Sequence, residues 1–333
     1  MNNRIEGFDF IRSFAILVIF FGHILDKQAT NQAVLLSFRS LSPGLTMSLL
    51  GFISAALLSS RAHDVGSFLI KRFTRIYISL CFCLVVILIA HAVLGKKVIT
   101  QHTLLHFMGL SAFFDLFLVQ NKATIGSGLW FITAISLMYL FFPLMQKLFR
   151  HPHGLIHLFF VVFLCTGLDF VMYGTQSFWN VVISFAVGVY LGGTGYTQRL
   201  IDTRGSSLFP LLGCVGLLIV AALSTAHVVP YEIRGLLYAF YPLAFVPLLF
   251  AVSKMLPAPI AGAISFFAGL SYEFYILHFY FINERFKDFF PAATPLYRQI
   301  IISFVATFVL AYLISKGASW SRTVAEKYLL ASK

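Results

Sequence analysis

Long runs of apolar residues alternate with short polar stretches along the whole chain. A helix that crosses a bilayer needs about 20 mainly apolar residues, and the pattern predicts about ten such helices. Their approximate limits are 8–25, 42–58, 77–94, 127–147, 155–173, 177–193, 207–224, 235–254, 261–282 and 299–317. The sequence therefore predicts an all-α polytopic membrane protein, built as a single transmembrane domain over residues 1–333 with no soluble extracytoplasmic domain.

The stretch 101–119 is the main ambiguity in this pattern. It is rich in apolar residues, but His102, His106 and Asp115 interrupt it. We interpret it as an interfacial or re-entrant segment of an outer loop. If it crossed the membrane instead, the count would become eleven and every later segment would be inverted.

Composition excludes several classes of protein. Of 333 residues, 59% are hydrophobic and 11% are charged, whereas about a quarter of the residues of a soluble domain are charged. The net charge of +12 does not indicate nucleic-acid binding here, because basic residues of a multispan protein concentrate in cytoplasmic loops. With ten helices, more Lys and Arg fall in cytoplasmic segments if the N-terminus is inside, which predicts that both termini are cytoplasmic.

The first predicted helix carries three ionisable side chains. Asp9 and Arg12 are three residues apart and so are neighbours on one face. Arg12 and His23 are eleven residues apart, or about three full turns. His23 therefore lies on the same stripe of the helix as Arg12, about 16 Å further along the axis. Intramembrane ionisable residues usually mark function. The alternatives are an interfacial pair that fixes topology and an interfacial histidine; the shared stripe favours a working face.

A basic cluster precedes the third predicted helix. Arg72 and Arg75 are three residues apart on one face, with Lys71 beside them. Arginine binds phosphate oxygens in a bidentate manner, and a helix N-terminus favours anions. The cluster indicates a phosphate-binding site, with a topological anchor as an equally weighted alternative.

Two later segments also carry polar or aromatic residues inside predicted helices. Glu273 lies in the middle of the ninth helix, where a carboxylate needs a partner or a proton, and His278 lies near its outer end. In the fourth helix, Trp130 and Tyr139 are either interfacial aromatic residues or packing residues, and we favour packing.

No metal site is predicted. Cys81, Cys83, Cys165 and Cys214 each lie in an apolar segment, without spacing typical of zinc ligands or disulfides. The histidines of segment 151–157 have no carboxylate or cysteine nearby, and we interpret them as part of a surface loop.

These clusters, in this order, resemble the membrane acyltransferase 3 family, which includes bacterial O-antigen and other cell-envelope polysaccharide O-acetyltransferases. Ten helices is the architecture of that family. The matching segments are Arg4-x4-Asp9-x2-Arg12-x2-Ala15-x7-His23, Lys71-Arg72-x2-Arg75-Ile76-Tyr77, Leu129-Trp130 through Tyr139 to Phe142-Pro143, Phe185-Ala-Val-Gly188 and Ser271-Tyr272-x2-Tyr275-x2-His278.

Three positions depart from the family pattern. Ile135 stands where the family often has Glu in the fourth helix, and Glu273 is a candidate replacement for that acid. Leu50 precedes Gly-Phe where the family often has Ser, and Ile78 stands where Pro is frequent.

The resemblance implies transfer of an acyl group, usually acetyl from cytoplasmic acetyl-CoA, to a hydroxyl of an envelope glycan at the bacterial inner membrane. Its partners would be acyl-CoA, a lipid-linked or nascent surface glycan and membrane lipids, with no bound cofactor and no nucleic acid. Arg72, Arg75 and Lys71 would bind the phosphates of acyl-CoA. His23 would act as the general base. Arg12, oriented by Asp9, would bind the donor or stabilise an oxyanion.

Two other classes of function remain open from the sequence. A secondary transporter could use Asp9, Arg12, Glu273 and His278 as a substrate or proton path, although we detect no related halves with matched broken helices. A non-catalytic flippase-like or scaffold subunit is the weaker alternative.

Overall fold

The structure is a computed structural model, and the described ranges are helical apart from connecting turns. It describes residues 3–28, 33–61, 64–93, 95, 99–123, 125–126, 128–172, 178–195, 215, 237–282 and 294–331. The helices are α1 (Asn3–Gln28), α2 (Ala33–Ser59), α3 (Val65–Val93), α4 (Thr103–Phe107), α5 (Phe113–Leu116), α6 (Trp130–Phe149), α7 (Gly154–Val171), α8 (Phe178–Gly193), α9 (Pro242–Ser253), α10 (Ala258–Ile282) and α11 (Leu296–Ala331).

The chain divides into two compact units. The first unit comprises Met1–Ala62 and Leu140–Gly269, and the second comprises His63–Tyr139 and Leu270–Lys333. In the first unit, α2 packs against α1 and α8, α7 packs on α8, and α9 contacts α1 and α2. In the second unit, α3 packs along α11 and contacts α4.

Two glycines of α8 explain its tight packing against α2. A Cβ atom added at Gly188 would lie 2.5 Å from the carbonyl oxygen of Phe52, and one added at Gly192 would lie 2.7 Å from that of Ala56. The two glycines are four residues apart and so share one stripe. Small residues on such a stripe let two membrane helices approach closely, so Gly188 has a packing role.

Within the described residues, six helices are long and apolar enough to cross a membrane. They are Gly7–Ile24, Val65–Val93, Trp130–Phe149, Gly154–Val171, Ala258–Ile282 and Leu296–Leu330. Shorter apolar helices, Gly44–Ser59, Phe178–Gly193 and Pro242–Ser253, lie where the second, sixth and eighth spans are predicted. The predicted span 207–224 lies outside the described residues, apart from residue 215. The count of ten and the orientation of the termini therefore stay predictions.

Two helices are longer than their apolar runs. α3 begins at Val65, twelve residues before the predicted limit, so the basic cluster lies on the helix and not before it. α11 has 36 residues, about 54 Å at 1.5 Å per residue, and continues well past residue 317. In both places charged side chains end the apolar window while the backbone remains helical. Lys, Arg, Glu and Ala are all good helix formers, so the polar extensions of α3 and α11 need not unwind.

Neither helix in the stretch 101–119 could cross a bilayer. α4 has five residues and α5 has four, which gives each a length of less than about 8 Å against a hydrocarbon core of about 30 Å. The chain turns between them, where the Gly109 N–H donates to the carbonyl of His106 at 3.0 Å.

Candidate active site

The acid and the guanidinium at the start of α1 form an ion pair. Arg12 Nη1 lies 3.3 Å from Asp9 Oδ1, and the two side chains are 29% and 19% exposed. α1 is continuous through both residues, so the three-residue spacing places them one turn apart on one face. The predicted pairing is confirmed, and it fixes the carboxylate beside a guanidinium that is still partly accessible.

His23 lies further along the same continuous helix. Eleven residues separate it from Arg12, which corresponds to about 16 Å along the axis, and its side chain is half-buried. Because α1 is unbroken from Asn3 to Gln28, the shared stripe follows from the helical period. The first unit thus holds Asp9, Arg12 and His23 on one rigid element.

The basic cluster occupies the second and third turns of α3. Asp64 caps this helix, because its Oδ2 accepts a hydrogen bond from the N–H of Ser67 at 2.8 Å. Lys71 and Arg75 are exposed, and Arg72 is half-buried. Three cations on two neighbouring turns make this part of α3 suited to an anionic ligand.

Arg72 lies between two aromatic rings. Its guanidinium carbon is 5.8 Å from the ring centroid of Phe68 and 5.6 Å from that of Tyr139. The two rings meet edge to face, with centroids 6.2 Å apart. Cation–π contacts of this kind orient a guanidinium without using its N–H donors.

The structure therefore joins two residues that the sequence places in separate clusters, Arg72 and Tyr139. Tyr139 is buried, as a packing residue would be, and not exposed at an interface. Phe68 was missed, although it precedes Arg72 by four residues and the helical spacing could have revealed it.

Glu273 has a specific hydrogen-bond partner. It is 2% exposed, and its Oε1 accepts a hydrogen bond from Ser79 Oγ at 2.7 Å. The neighbouring Tyr272 hydroxyl donates to the carbonyl of Ile76 at 3.1 Å. These two bonds tie α10 to α3 directly after the basic cluster and about one turn beyond it. Ser79 could not be found from sequence, because 194 positions separate the partners.

His278 and its neighbours on α10 face the segment that precedes α6. The Nδ1–H of His278 donates to the carbonyl of Tyr275 at 2.5 Å. The Tyr275 hydroxyl donates to the carbonyl of Gly128 at 2.7 Å, and the Tyr280 hydroxyl accepts from the N–H of Gly126 at 2.6 Å. The late tyrosines thus fix the loop just before Trp130, which is itself buried.

The loop between α3 and α6 has a polar core of its own. Asn121 Oδ1 accepts from the N–H of Ala123 at 2.9 Å, and Asn121 Nδ2 donates to the carbonyl of Ile125 at 3.0 Å, which fixes the orientation of the amide. His106 Nε2 must therefore donate to Asn121 Oδ1 at 3.2 Å. The remaining lone pair on Nδ1 accepts from Ser111 Oγ at 3.0 Å.

Burial favours the neutral form of His106, and the network accommodates it. The imidazole is fully buried, and burial lowers its pKa, although the hydrogen bond to Asn121 raises it and the nearby His102 lowers it further. In the sequence, His106 is recognisable only as an interruption of an apolar run. The structure shows that it organises this loop.

The histidines of segment 151–157 are close to one another. The ring centroid of His151 is 5.4 Å from that of His153 and 5.9 Å from that of His157, and His157 Nδ1 donates to the carbonyl of Leu148 at 3.0 Å. Among the residues that the structure describes, no group of three His, Cys, Asp or Glu side chains is arranged to hold a metal ion.

The predicted residues fall into two sets. Asp9, Arg12 and His23 lie in the first unit, and the others lie in the second. Within the second unit, Arg72 contacts Tyr139, whereas Lys71 and Arg75 are exposed on neighbouring turns. The remaining members of the second set are Trp130, Glu273 and His278.

The part of the chain that the structure describes holds six long apolar helices, and these indicate an integral membrane protein. Residues 5–316 match the acyltransferase domain family Acyl_transf_3. The chain therefore belongs to the acyltransferase 3 family and is a membrane acyltransferase. No curated protein and no solved structure matches the chain. Membership of this family does not favour the transporter alternative.

Proposed function

We propose that this protein transfers acetyl from cytoplasmic acetyl-CoA to a sugar hydroxyl of a cell-surface polysaccharide, of the O-antigen type, or of its lipid-linked precursor. The reaction would take place at the bacterial inner membrane, with both termini of a single transmembrane domain in the cytoplasm. The observation that carries the proposal is α1, a continuous helix that presents an ion-paired arginine and a histidine on one stripe. The match over residues 5–316 contains every residue of the candidate site.

Each cluster has a distinct role in this proposal. Arg72, with Lys71 and Arg75, binds the phosphates of the donor, since guanidinium groups form bidentate hydrogen bonds with phosphate. His23 accepts the proton of the attacking sugar hydroxyl. Arg12, held by Asp9, binds the acyl donor or, where the acyl group first moves to a residue of the protein, stabilises the oxyanion of that first transfer.

Three further residues support the site. Tyr139 orients Arg72, and Glu273 joins α10 to α3 through Ser79. His278 and Trp130 support the region where α10 meets the loop before α6. Glu273 takes the place of the acid that is absent at Ile135. No resident cofactor takes part; acetyl-CoA is a substrate.

The test is glycan acetylation in cells that carry a defined surface polysaccharide, measured by mass spectrometry. His23→Ala should lower the acetylation rate by a factor of about 100 to 10,000, with the protein still present in the membrane. His157→Ala is the matched control, because it removes an imidazole from outside the site. Normal acetylation by a stably expressed His23→Ala variant would exclude His23 as the base.

A further inference from the structure

A groove in the first unit has cationic walls and no assigned role. Its cavity volume is about 510 Å³, which lies within the usual range for small-ligand sites. No carboxylate contributes to its lining, which consists of Pro143, Gln146, Lys147, Arg150, His151 and Pro152.

Two of the lining side chains are fixed by the end of α2. Arg150 Nη2 donates to the carbonyl of Ser59 at 3.0 Å. Gln146 Nε2 donates to the carbonyls of Ser59 at 3.4 Å and Arg61 at 3.1 Å. These carbonyls belong to the C-terminal end of α2, where backbone acceptors are left without helical partners. The groove is therefore built on anchored side chains.

The cations of the groove keep most of their donors. A guanidinium has five N–H groups, and the single bond to Ser59 uses one of those of Arg150. The ammonium of Lys147 is exposed and contacts no acceptor among the residues that the structure describes. The anchored guanidinium of Arg150 and the exposed ammonium of Lys147 both line the groove. Together they offer N–H donors that suit phosphate oxygens.

We propose that this groove binds a phosphate-bearing ligand through Arg150 and Lys147. On the predicted topology it faces the cytoplasm, where two sources offer that chemistry: the headgroup of an anionic lipid and the phosphates of coenzyme A. The inference does not depend on the proposed acetyl transfer, since a lipid headgroup would fill the groove without any reaction.

The experiment uses the full-length protein in phosphatidylcholine nanodiscs and the variant Lys147→Ala. Lys147 is exposed and its ammonium makes no hydrogen bond or ion pair with the described residues, so the variant should keep the thermal midpoint of the wild type. Lys254→Ala is the matched control, because Lys254 is an exposed lysine of the same unit that lies outside the groove. In one arm coenzyme A is titrated, and in the other phosphatidylglycerol is added and its retention is measured by native mass spectrometry.

A loss of one charge-assisted hydrogen bond should weaken binding about tenfold. A tenfold weaker affinity for coenzyme A in Lys147→Ala, with Lys254→Ala unchanged, identifies the nucleotide as the ligand; the same loss of phosphatidylglycerol retention identifies the lipid. Wild-type behaviour of Lys147→Ala in both arms overturns the proposal. Arg72→Ala tests the donor site separately, so failure of the proposed function would leave this result standing.

Discussion

The aromatic clamp on Arg72, formed by Phe68 and Tyr139, gives the most direct test of the donor site. Each cation–π contact contributes about 0.5 to 1 kcal/mol at a partly exposed position. Tyr139→Leu removes one ring from a pair that lies 5.6 and 5.8 Å from the guanidinium carbon. If the rings hold Arg72 ready for phosphate, the variant should bind acetyl-CoA about two- to fivefold more weakly.

Removal of the guanidinium itself should weaken the binding of acetyl-CoA more than removal of one ring. A hydrogen bond to a charged group contributes about 1.5 to 3 kcal/mol, so Arg72→Ala should raise the KM for acetyl-CoA about 10- to 100-fold. Because the contact exists before and during the reaction, kcat should change little. Arg72→Lys should not restore full affinity, since an ammonium cannot form the bidentate contact.

The assay is acetyl transfer in membrane vesicles as a function of acetyl-CoA concentration, read as a double-mutant cycle of Arg72→Ala and Tyr139→Leu. Tyr139→Phe retains the ring and should behave as wild type. Arg298→Ala is the control, because Arg298 also lies over an aromatic ring, that of Tyr297 at 5.9 Å, but on the predicted outer side. If the effect of Tyr139→Leu on KM persists unchanged in the absence of Arg72, the clamp does not position the guanidinium.

Three further predictions concern stability, each measured as the thermal midpoint of the purified protein. Ser79→Ala should lower the midpoint, because the buried Glu273 side chain loses its hydrogen-bond donor, which lowers the stability by about 1 to 3 kcal/mol. Ser60→Ala, which removes an exposed hydroxyl, should leave the midpoint unchanged. Gly188→Ala should lower it through a clash with the α2 backbone, about 1 to 3 kcal/mol, whereas Gly167→Ala, with open space around its Cα, should not. Burial lowers the pKa of His106 in the folded state, so the unfolded chain binds a proton there more readily. The thermal midpoint should therefore be highest above about pH 6.5 and decline as the pH falls below it. An equal decline in His106→Gln would contradict this assignment.

The helices with long apolar runs could be predicted from the sequence because the bilayer imposes a length and a hydropathy on each of them. The N-terminal end of α3 and the C-terminal end of α11 could not be predicted in this way. Lys71, Arg72 and Arg75 end the apolar window, yet Asp64 caps the helix seven residues or more before them. A hydropathy pattern reports where lipid is, whereas a cap reports where the helical backbone begins.

The candidate site shows the same division between local and distant information. The Asp9–Arg12 pair follows from a three-residue spacing on one helix, so periodicity alone predicts it. The contacts of Arg72 with Tyr139 and of Glu273 with Ser79 join distant parts of the chain, and no spacing rule anticipates them. The role of His106 was missed for a different reason: a buried histidine in a loop is recognised by its partners, Ser111 and Asn121, and not by the residues beside it.

The separation of about 16 Å between Arg12 and His23 limits how the acyl group can reach its acceptor. Either the donor extends along α1 and transfers directly, or the acyl group rests on a residue of the protein, with His23 as the acylated group or as the final base. Relay chemistry forms a covalent intermediate and gives ping-pong kinetics. Direct transfer requires both substrates to be bound together.

Purified enzyme that is mixed with radiolabelled acetyl-CoA, without a glycan acceptor, and quenched rapidly in denaturant at neutral pH separates these two routes, because an acyl-imidazole hydrolyses quickly in acid. If His23 carries the acyl group, label should be bound to the peptide that contains it and be absent from His23→Gln. If transfer is direct, no stoichiometric label should appear, and initial rates should intersect in a sequential pattern as both substrates vary. Ping-pong kinetics with label on a different residue would exclude His23 as the acylated group, and the role of final base would then be tested by the loss of acceptor-dependent turnover in His23→Gln.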